Sequence, residues 1–276
     1  KNLGENLSKT LSFYLGDPHE IFDTLTRHYE IETIAWNRCY EPWRIKRDTS
    51  LKAALEKKGI EVKTFNASLL WEPWQIKKGD GTPFKVFTPF YKKGCLGAEP
   101  PRTPLPKPKK IQGLKEKKYS ISLDKLSLLP TGEGWDQRVL SHWDIGESGA
   151  KKSLAKFLKE GLSDYKEGRN FPSKPNVSSL SPRLHHGELS PNSIWYAAIK
   201  QGGGKNLDHF LSELGWREFS YNLLYYNPGL KEKNLQTKFD AFPWKSSPQT
   251  LKKWQKGHTG IPIVDAGMRQ LWEMGY

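Results

Sequence analysis

Two cysteines, Cys39 and Cys95, are all that 276 residues contain. Neither has a Cys or His at metal-ligand spacing, which argues against a disulfide framework and a structural zinc site, and makes a reducing cytoplasm the expected compartment. No apolar run approaches the roughly 20 residues that a bilayer-spanning helix needs, and no charged-then-apolar leader opens the chain. A soluble protein with no membrane partner is expected. The turn after the first β-prone run has no glycine-rich phosphate fingerprint, so nothing supports a dinucleotide site there. Acidic residues are also short: 30 Asp and Glu face 44 Lys and Arg, a formal charge of +14. An acidic polymer is therefore the first partner to consider, nucleic acid ahead of a membrane surface. What the chain has in excess is tryptophan, 11 residues in all. Large flat π surfaces beside surplus positive charge suit base stacking or an aromatic cofactor, and they also serve as core filler.

The first stretch alternates strand and helix. Leu11 to Leu15 is a short β-prone run, and Gly16-Asp17-Pro18 closes it with a turn whose Asp can cap a helix over residues 19–29. A second strand is expected at Ile31 to Trp36. Leu51, Ala54 and Leu55 give Arg47 to Lys58 a helical period, and Gly59 stops that helix before a third strand at Ile60 to Phe65. This order is βαβαβ, the pattern of a parallel sheet with helices on its faces. From Cys95 onward, five prolines between Pro100 and Pro108 interleave with lysines, which predicts a solvated connector. Beyond Asp144 the apolar spacing is helical throughout, with one stripe at Ala150, Leu154, Phe157, Leu158 and Leu162 and another at Leu207, Phe210, Leu211 and Leu214. The expected architecture is α/β plus all-α: an α/β domain over 1–94, a linker over 95–143 and a helical domain over 144–276.

Glu213, Trp216, Arg217 and Ser220 stand at i, i+3, i+4 and i+7, so a carboxyl, an indole, a guanidinium and a hydroxyl are expected on one helical face. Two readings fit. One is a surface Glu to Arg pair worth about 0.2–0.5 kcal/mol with Trp216 as ordinary core. The other is a site for a base removed from its stack, which needs an aromatic wall for its face and polar groups for its edge. The adjacent His185 and His186 point about 100° apart on a helix, an awkward geometry for a metal, so core packing is expected of them and no metal site is assigned.

Trp216-Arg217-Glu218-Phe219, Phe242-Pro243-Trp244 and the run Thr259-Gly260-Ile-Pro262-Ile-Val264-Asp265-Ala266-Gly-Met268-Arg269-Gln-Leu271 resemble the DNA photolyase and cryptochrome family. Tyr40-Glu41-Pro42-Trp43 and Trp71-Glu72-Pro73-Trp74 resemble its antenna domain, so the likeness covers nearly the whole chain, and the bacterial-type cyclobutane pyrimidine dimer photolyases are the nearest in kind. The resemblance implies a Rossmann-like parallel-sheet antenna domain and a helical FAD-binding domain, both incomplete. It makes Glu213 the acid that hydrogen-bonds and protonates a thymine pair, Trp216 the ring that packs on it, and Arg169, Arg217 and Ser220 DNA-facing residues.

For the FAD phosphates the resemblance offers Val177, Ser178, Ser179, Leu180 and Ser181, with Tyr165 upstream; Val177 replaces the usual Thr and loses a hydroxyl, a change worth about 0.5–1.5 kcal/mol. Phe210 is expected against the flavin, Trp244 as the surface member of an electron relay, and Glu41 as a contact for a folate (methenyltetrahydrofolate) antenna, a deazaflavin being the other antenna considered. The chain begins with Lys1 and stops shortly after the signature helix, so a fragment that binds flavin poorly or not at all is expected. The implied activity is that of a deoxyribodipyrimidine photo-lyase, a light-driven carbon–carbon lyase acting as a monomer on damaged DNA. A cryptochrome-like receptor without repair and a six-four photolyase are the alternatives.

Overall fold

The computed structural model describes residues 2–7, 10–114, 116–132 and 134–276. Helix α1, Pro18–His28, starts where the sequence places it: Asp17 Oδ1 accepts the His19 N–H at 2.7 Å, and Pro18 supplies a pre-set φ at the first turn. Strand β1, Thr33–Asn37, leads into helix α2, Pro42–Glu56, and strand β2, Glu61–Phe65, returns beside β1. The strands are parallel, in register Thr33 to Glu61 through Asn37 to Phe65. Helix α2 is the crossover that parallel pairing requires. It begins five residues earlier than its apolar spacing suggests, because Pro42 opens it. Leu51, Leu55, Ile60 and Val62 close a small core over which Phe22, Ile34 and Trp36 pack.

The expected first strand is corrected. Leu11 to Leu15 joins no sheet among the described residues; Phe13 forms one isolated antiparallel bridge to Ile121 in the proline-rich connector. Nothing in the run is buried, and a five-residue segment with no face to bury gains little from pairing. The segment is held by polar groups instead: Tyr14 and Tyr29 donate their hydroxyls to the Glu116 carboxylate at 3.3 and 3.2 Å.

The main core does not divide at residue 94. Leu70, Trp71, Ile76, Phe84, Phe90, Tyr91 and Cys95 pack into one cluster with helical residues from Ala150 to Phe219. The connector's start is strapped to the same body, since Trp71 Nε1 donates to the Glu99 carbonyl at 2.9 Å and Asn192 Nδ2 to the Arg102 carbonyl at 2.7 Å. Its middle is exposed over residues 103–110, where Lys107 Nζ donates to Asn6 Oδ1 at 2.6 Å. Prolines end helices and strands without preventing side chains around them from docking, which is why composition alone suggested a solvated segment throughout.

The second half is helical, as its period predicts. Helices α3 (Glu147–Lys156), α4 (Pro191–Ile199), α5 (Lys205–Tyr226), α6 (Pro248–Gln255) and α7 (Pro262–Met274) follow in order. The 22-residue α5 is the spine, burying Leu207, Phe210, Leu211, Leu214, Gly215, Glu218, Phe219 and Asn222. Gly215 lets it approach the Tyr91 ring: a Cβ there would lie 2.4 Å from Tyr91 Cδ2.

Candidate active site

A cavity of about 710 Å³ runs along one flank of α5. Phe210, Glu213, Leu214, Arg217 and Tyr221, at steps of three or four, form its helical wall, and Tyr165, Ser178, Leu180 and Ser181 form part of the opposite wall. Seven residues singled out from the sequence thus meet in one place: Tyr165, Ser178, Leu180, Ser181, Phe210, Glu213 and Arg217. The volume is that of an ordinary cofactor or ligand pocket.

The polar centre is a charge cluster. Arg169 Nη1 pairs with Glu213 Oε1, and His209 Nε2 lies 3.8 Å from the same oxygen. The Arg169 guanidinium also sits 5.3 Å over the Tyr165 ring. Burial works against the Arg169 charge, yet the Glu213 hydrogen bond and the neighbouring charges hold its pKa above the ordinary value. Burial pushes the Tyr165 phenol up to about 12, so it is a neutral hydroxyl at any physiological pH. Glu213 thus meets a cation, Arg169, that its own helix does not supply.

Several expected residues lie elsewhere. Trp216 is 46% exposed and stacks on Phe87, ring centroids 3.7 Å apart and planes 10° from parallel. Three residues along a helix turn the side chain about 60° from Glu213. That offset, with the pull of Phe87, takes the indole off the cavity wall. Ser220 donates to the Trp216 carbonyl at 3.0 Å, the i−4 back-bond available to an exposed helical serine, and lines nothing. Val177 is exposed and Ser179 takes a left-handed φ of 50°; neither is on the wall. Trp244 is 79% exposed, its ring 4.6 Å from Phe242. Glu41 occupies the N-cap position of α2 without a side-chain cap bond and pairs with Arg44 at 3.8 Å.

His185 and His186 are exposed residues of the cavity lining with their rings 4.8 Å apart, which corrects the expectation of core packing. Among the described residues no group of three His, Cys, Asp or Glu side chains is placed to hold a metal. Sequence reasoning missed Tyr221 and His209, although both lie on the Glu213 side of the helix by their spacing. It also missed a second cleft of about 190 Å³ beyond the carboxyl ends of β1 and β2, walled by Trp36, Tyr40, Trp74 and Tyr225.

The donor set fits FAD: hydroxyls of Ser178 and Ser181 suit phosphate oxygens, and Phe210 with Tyr165 offers an aromatic wall to a ring system. The DNA photolyase family model matches residues 2–109, and the FAD binding domain of DNA photolyase matches residues 210–276. A deoxyribodipyrimidine photo-lyase of Agrobacterium fabrum is 39% identical over 263 residues, covering 94% of this chain and 55% of the relative. Cryptochrome-2 of Arabidopsis thaliana is 33% identical over 257 residues, 88% of this chain and 42% of the relative. The chain thus spans about half the length of the curated relatives it matches. Among solved structures, a bacterial class III photolyase from Agrobacterium tumefaciens superposes with a TM-score of 0.93 at 38% identity, covering 99% of this chain and 58% of that one. No described helix is long and apolar enough to cross a membrane. Signature runs, fold and family models agree, and the chain belongs to the DNA photolyase and cryptochrome family.

Proposed function

We propose that the protein of which this chain forms a part is a light-dependent lyase that splits cyclobutane pyrimidine dimers in DNA. The observation that carries this reading is the cavity whose walls hold Glu213, the ion-pair partner of Arg169, together with the Ser178 and Ser181 hydroxyls and the Phe210 ring. Reduced FAD, when bound, supplies on excitation the single electron that opens the cyclobutane ring and recovers it afterwards. The residues do the rest. Ser178 and Ser181 hold the phosphates, and Phe210 packs against the flavin. Glu213, held in place by Arg169, accepts a hydrogen bond from the imide N–H of a pyrimidine swung out of the duplex. Arg217, on the cavity wall, faces the base edge, where an added electron builds negative charge on a carbonyl oxygen, and a fixed guanidinium stabilises that charge. Trp216 and Ser220, outside the cavity, meet the DNA at its mouth. An unstacked lesion is the cheapest base step to extrude, which gives selectivity over undamaged DNA.

For the antenna, the cleft between Trp36 and Trp74 replaces Glu41 as the seat of a fused-ring chromophore, folate or deazaflavin: aromatic walls at the carboxyl ends of parallel strands suit such a ligand, and Glu41 does not line it. The second reading, a cryptochrome-like receptor without repair, is carried by the similarity to Arabidopsis cryptochrome-2. Blue-light turnover of dimer-containing and six-four-containing oligonucleotides separates the alternatives. Dimer repair that falls about tenfold or more in Glu213→Ala and less in Trp216→Ala is expected. Flavin absorption without repair of either lesion gives the receptor reading, and dimer repair untouched in Glu213→Ala removes the site assignment.

A further inference from the structure

A second groove, about 850 Å³, lies on the other flank of α5. Its walls include Phe87, Tyr91, Trp195 and Leu211, and Lys92, Lys166 and Lys205 stand around it. The lysines come from three separate elements: the Phe90–Cys95 turn, the Tyr165–Gly168 turn and the start of α5. None of the three is in an ion pair among the described residues, and Asp208 is the acid that shares the groove with them. The two cavities have neighbouring side chains in contact. His209 lines this groove while approaching Glu213 of the first, and Phe87 is stacked between Trp216 at 3.7 Å and Tyr91 at 5.6 Å, both nearly parallel to it.

We propose that this groove seats an undamaged nucleotide flanking the lesion, its base against Tyr91 and Trp195 and the neighbouring phosphates on Lys92, Lys166 and Lys205. The inference rests on the repair reading above, since it takes the lesion to occupy the Glu213 cavity. Charge complementarity selects the occupant. A single small anion is best held by cations converging on one point, whereas lysines dispersed around an aromatic floor match phosphates spaced along a strand.

The test is a cycle between protein and DNA truncations, read by fluorescence anisotropy on the flavin-loaded protein. Oligonucleotides carry a dimer with or without flanking nucleotides, and Lys92→Ala, Lys166→Ala and Lys205→Ala are compared with wild type. Each substitution is expected to weaken binding of the flanked dimer, to lower the slope of log affinity against log salt by about one, and to change nothing on the bare dimer. Tyr91→Leu is expected to cost about fivefold or more on the flanked substrate alone. Tyr91 packs on Gly215, so that variant can fail to fold, but the exposed lysines cannot fail in this way. Equal losses on flanked and bare dimer, or unchanged salt slopes, overturn the proposal. So does binding of riboflavin 5′-phosphate that needs these lysines while flanked DNA does not. If wild type fails to prefer the dimer, the repair reading is lost, while coupling between flank and lysines is still read on undamaged single strands.

Discussion

Glu218 is the residue on which the chain's internal electrostatics turns. Its carboxylate accepts the backbone N–H groups of Leu70 at 2.8 Å and Trp71 at 3.1 Å and pairs with Arg217, whose Nη1 also donates to the Ser68 carbonyl at 2.6 Å. The segment after β2 is thereby bolted to α5 one turn from Glu213. Burial raises the Glu218 pKa from 4.5 to about 7, against the lowering effect of Arg217 and the two amides. The fold therefore binds this proton more tightly than the unfolded chain does. Stability from this group is full below about pH 4.5 and is lost as pH rises towards 7, by at most about 3 kcal/mol. Urea unfolding at pH 5 and pH 8 is expected to show wild type losing stability over that interval and Glu218→Gln losing much less. An identical pH dependence in both proteins contradicts the assignment. The sequence held the Trp-Arg-Glu-Phe run but gave no hint of this role, because the amides that Glu218 caps come from 147 and 148 positions away.

Helix α5 faces two different cavities with its two flanks while its inner face is buried. Closeness at Gly215 keeps Phe90, Tyr91 and Phe219 packed against one another. Gly215→Ala gains helix propensity of about 1 kcal/mol but drives a methyl into the Tyr91 ring, and overpacking of that kind costs about 1–3 kcal/mol. A net loss of stability in denaturant titration, partly restored by adding Tyr91→Leu, is the expected result. Trp216 shows the limit of reasoning from spacing. Its i+3 relation to Glu213 was legible, yet the direction of the indole depends on Phe87, 129 positions earlier in the chain. Ser178 and Ser181, by contrast, came from a local run that leads into the short helix Ser181–His185, and both stand on the cavity wall.

At the scale of the molecule, the repair proposal makes a surplus of 14 positive charges the means by which DNA is found. Phosphate contacts release counterions, so affinity for undamaged duplex is expected to fall steeply with salt, by roughly 10³-fold or more between about 50 and 200 mM if six or more phosphates are engaged. Under the same proposal the extra affinity for a dimer comes from the Glu213 cavity and is expected to survive that change. Anisotropy titrations with both duplexes over this range check the point, and equal decay of both affinities contradicts it. The sheet unit is joined to the helical body by the bidentate Arg38 and Glu72 pair at 2.6 and 2.9 Å, with the buried Tyr40 hydroxyl donating to Glu72 at 2.7 Å. The pair stands beside the cleft proposed for the antenna, which fixes that cleft relative to α5 through the same bonds that hold the two units together.

By itself the sequence determined what local physics encodes: the Asp17 cap, the crossover between β1 and β2, the helical second half, the basic surface and the stripe that puts Phe210, Glu213 and Arg217 on one flank. Tertiary structure decided which groups meet across long separations: the Arg169 partner that pairs with Glu213, the Phe87 ring that takes Trp216, the connector docked at Trp71 and Asn192, and the first β-prone run left outside the sheet. The reason is one of range. Capping and periodicity act within a few residues, whereas ion pairing and burial depend on neighbours that only the folded chain brings within reach.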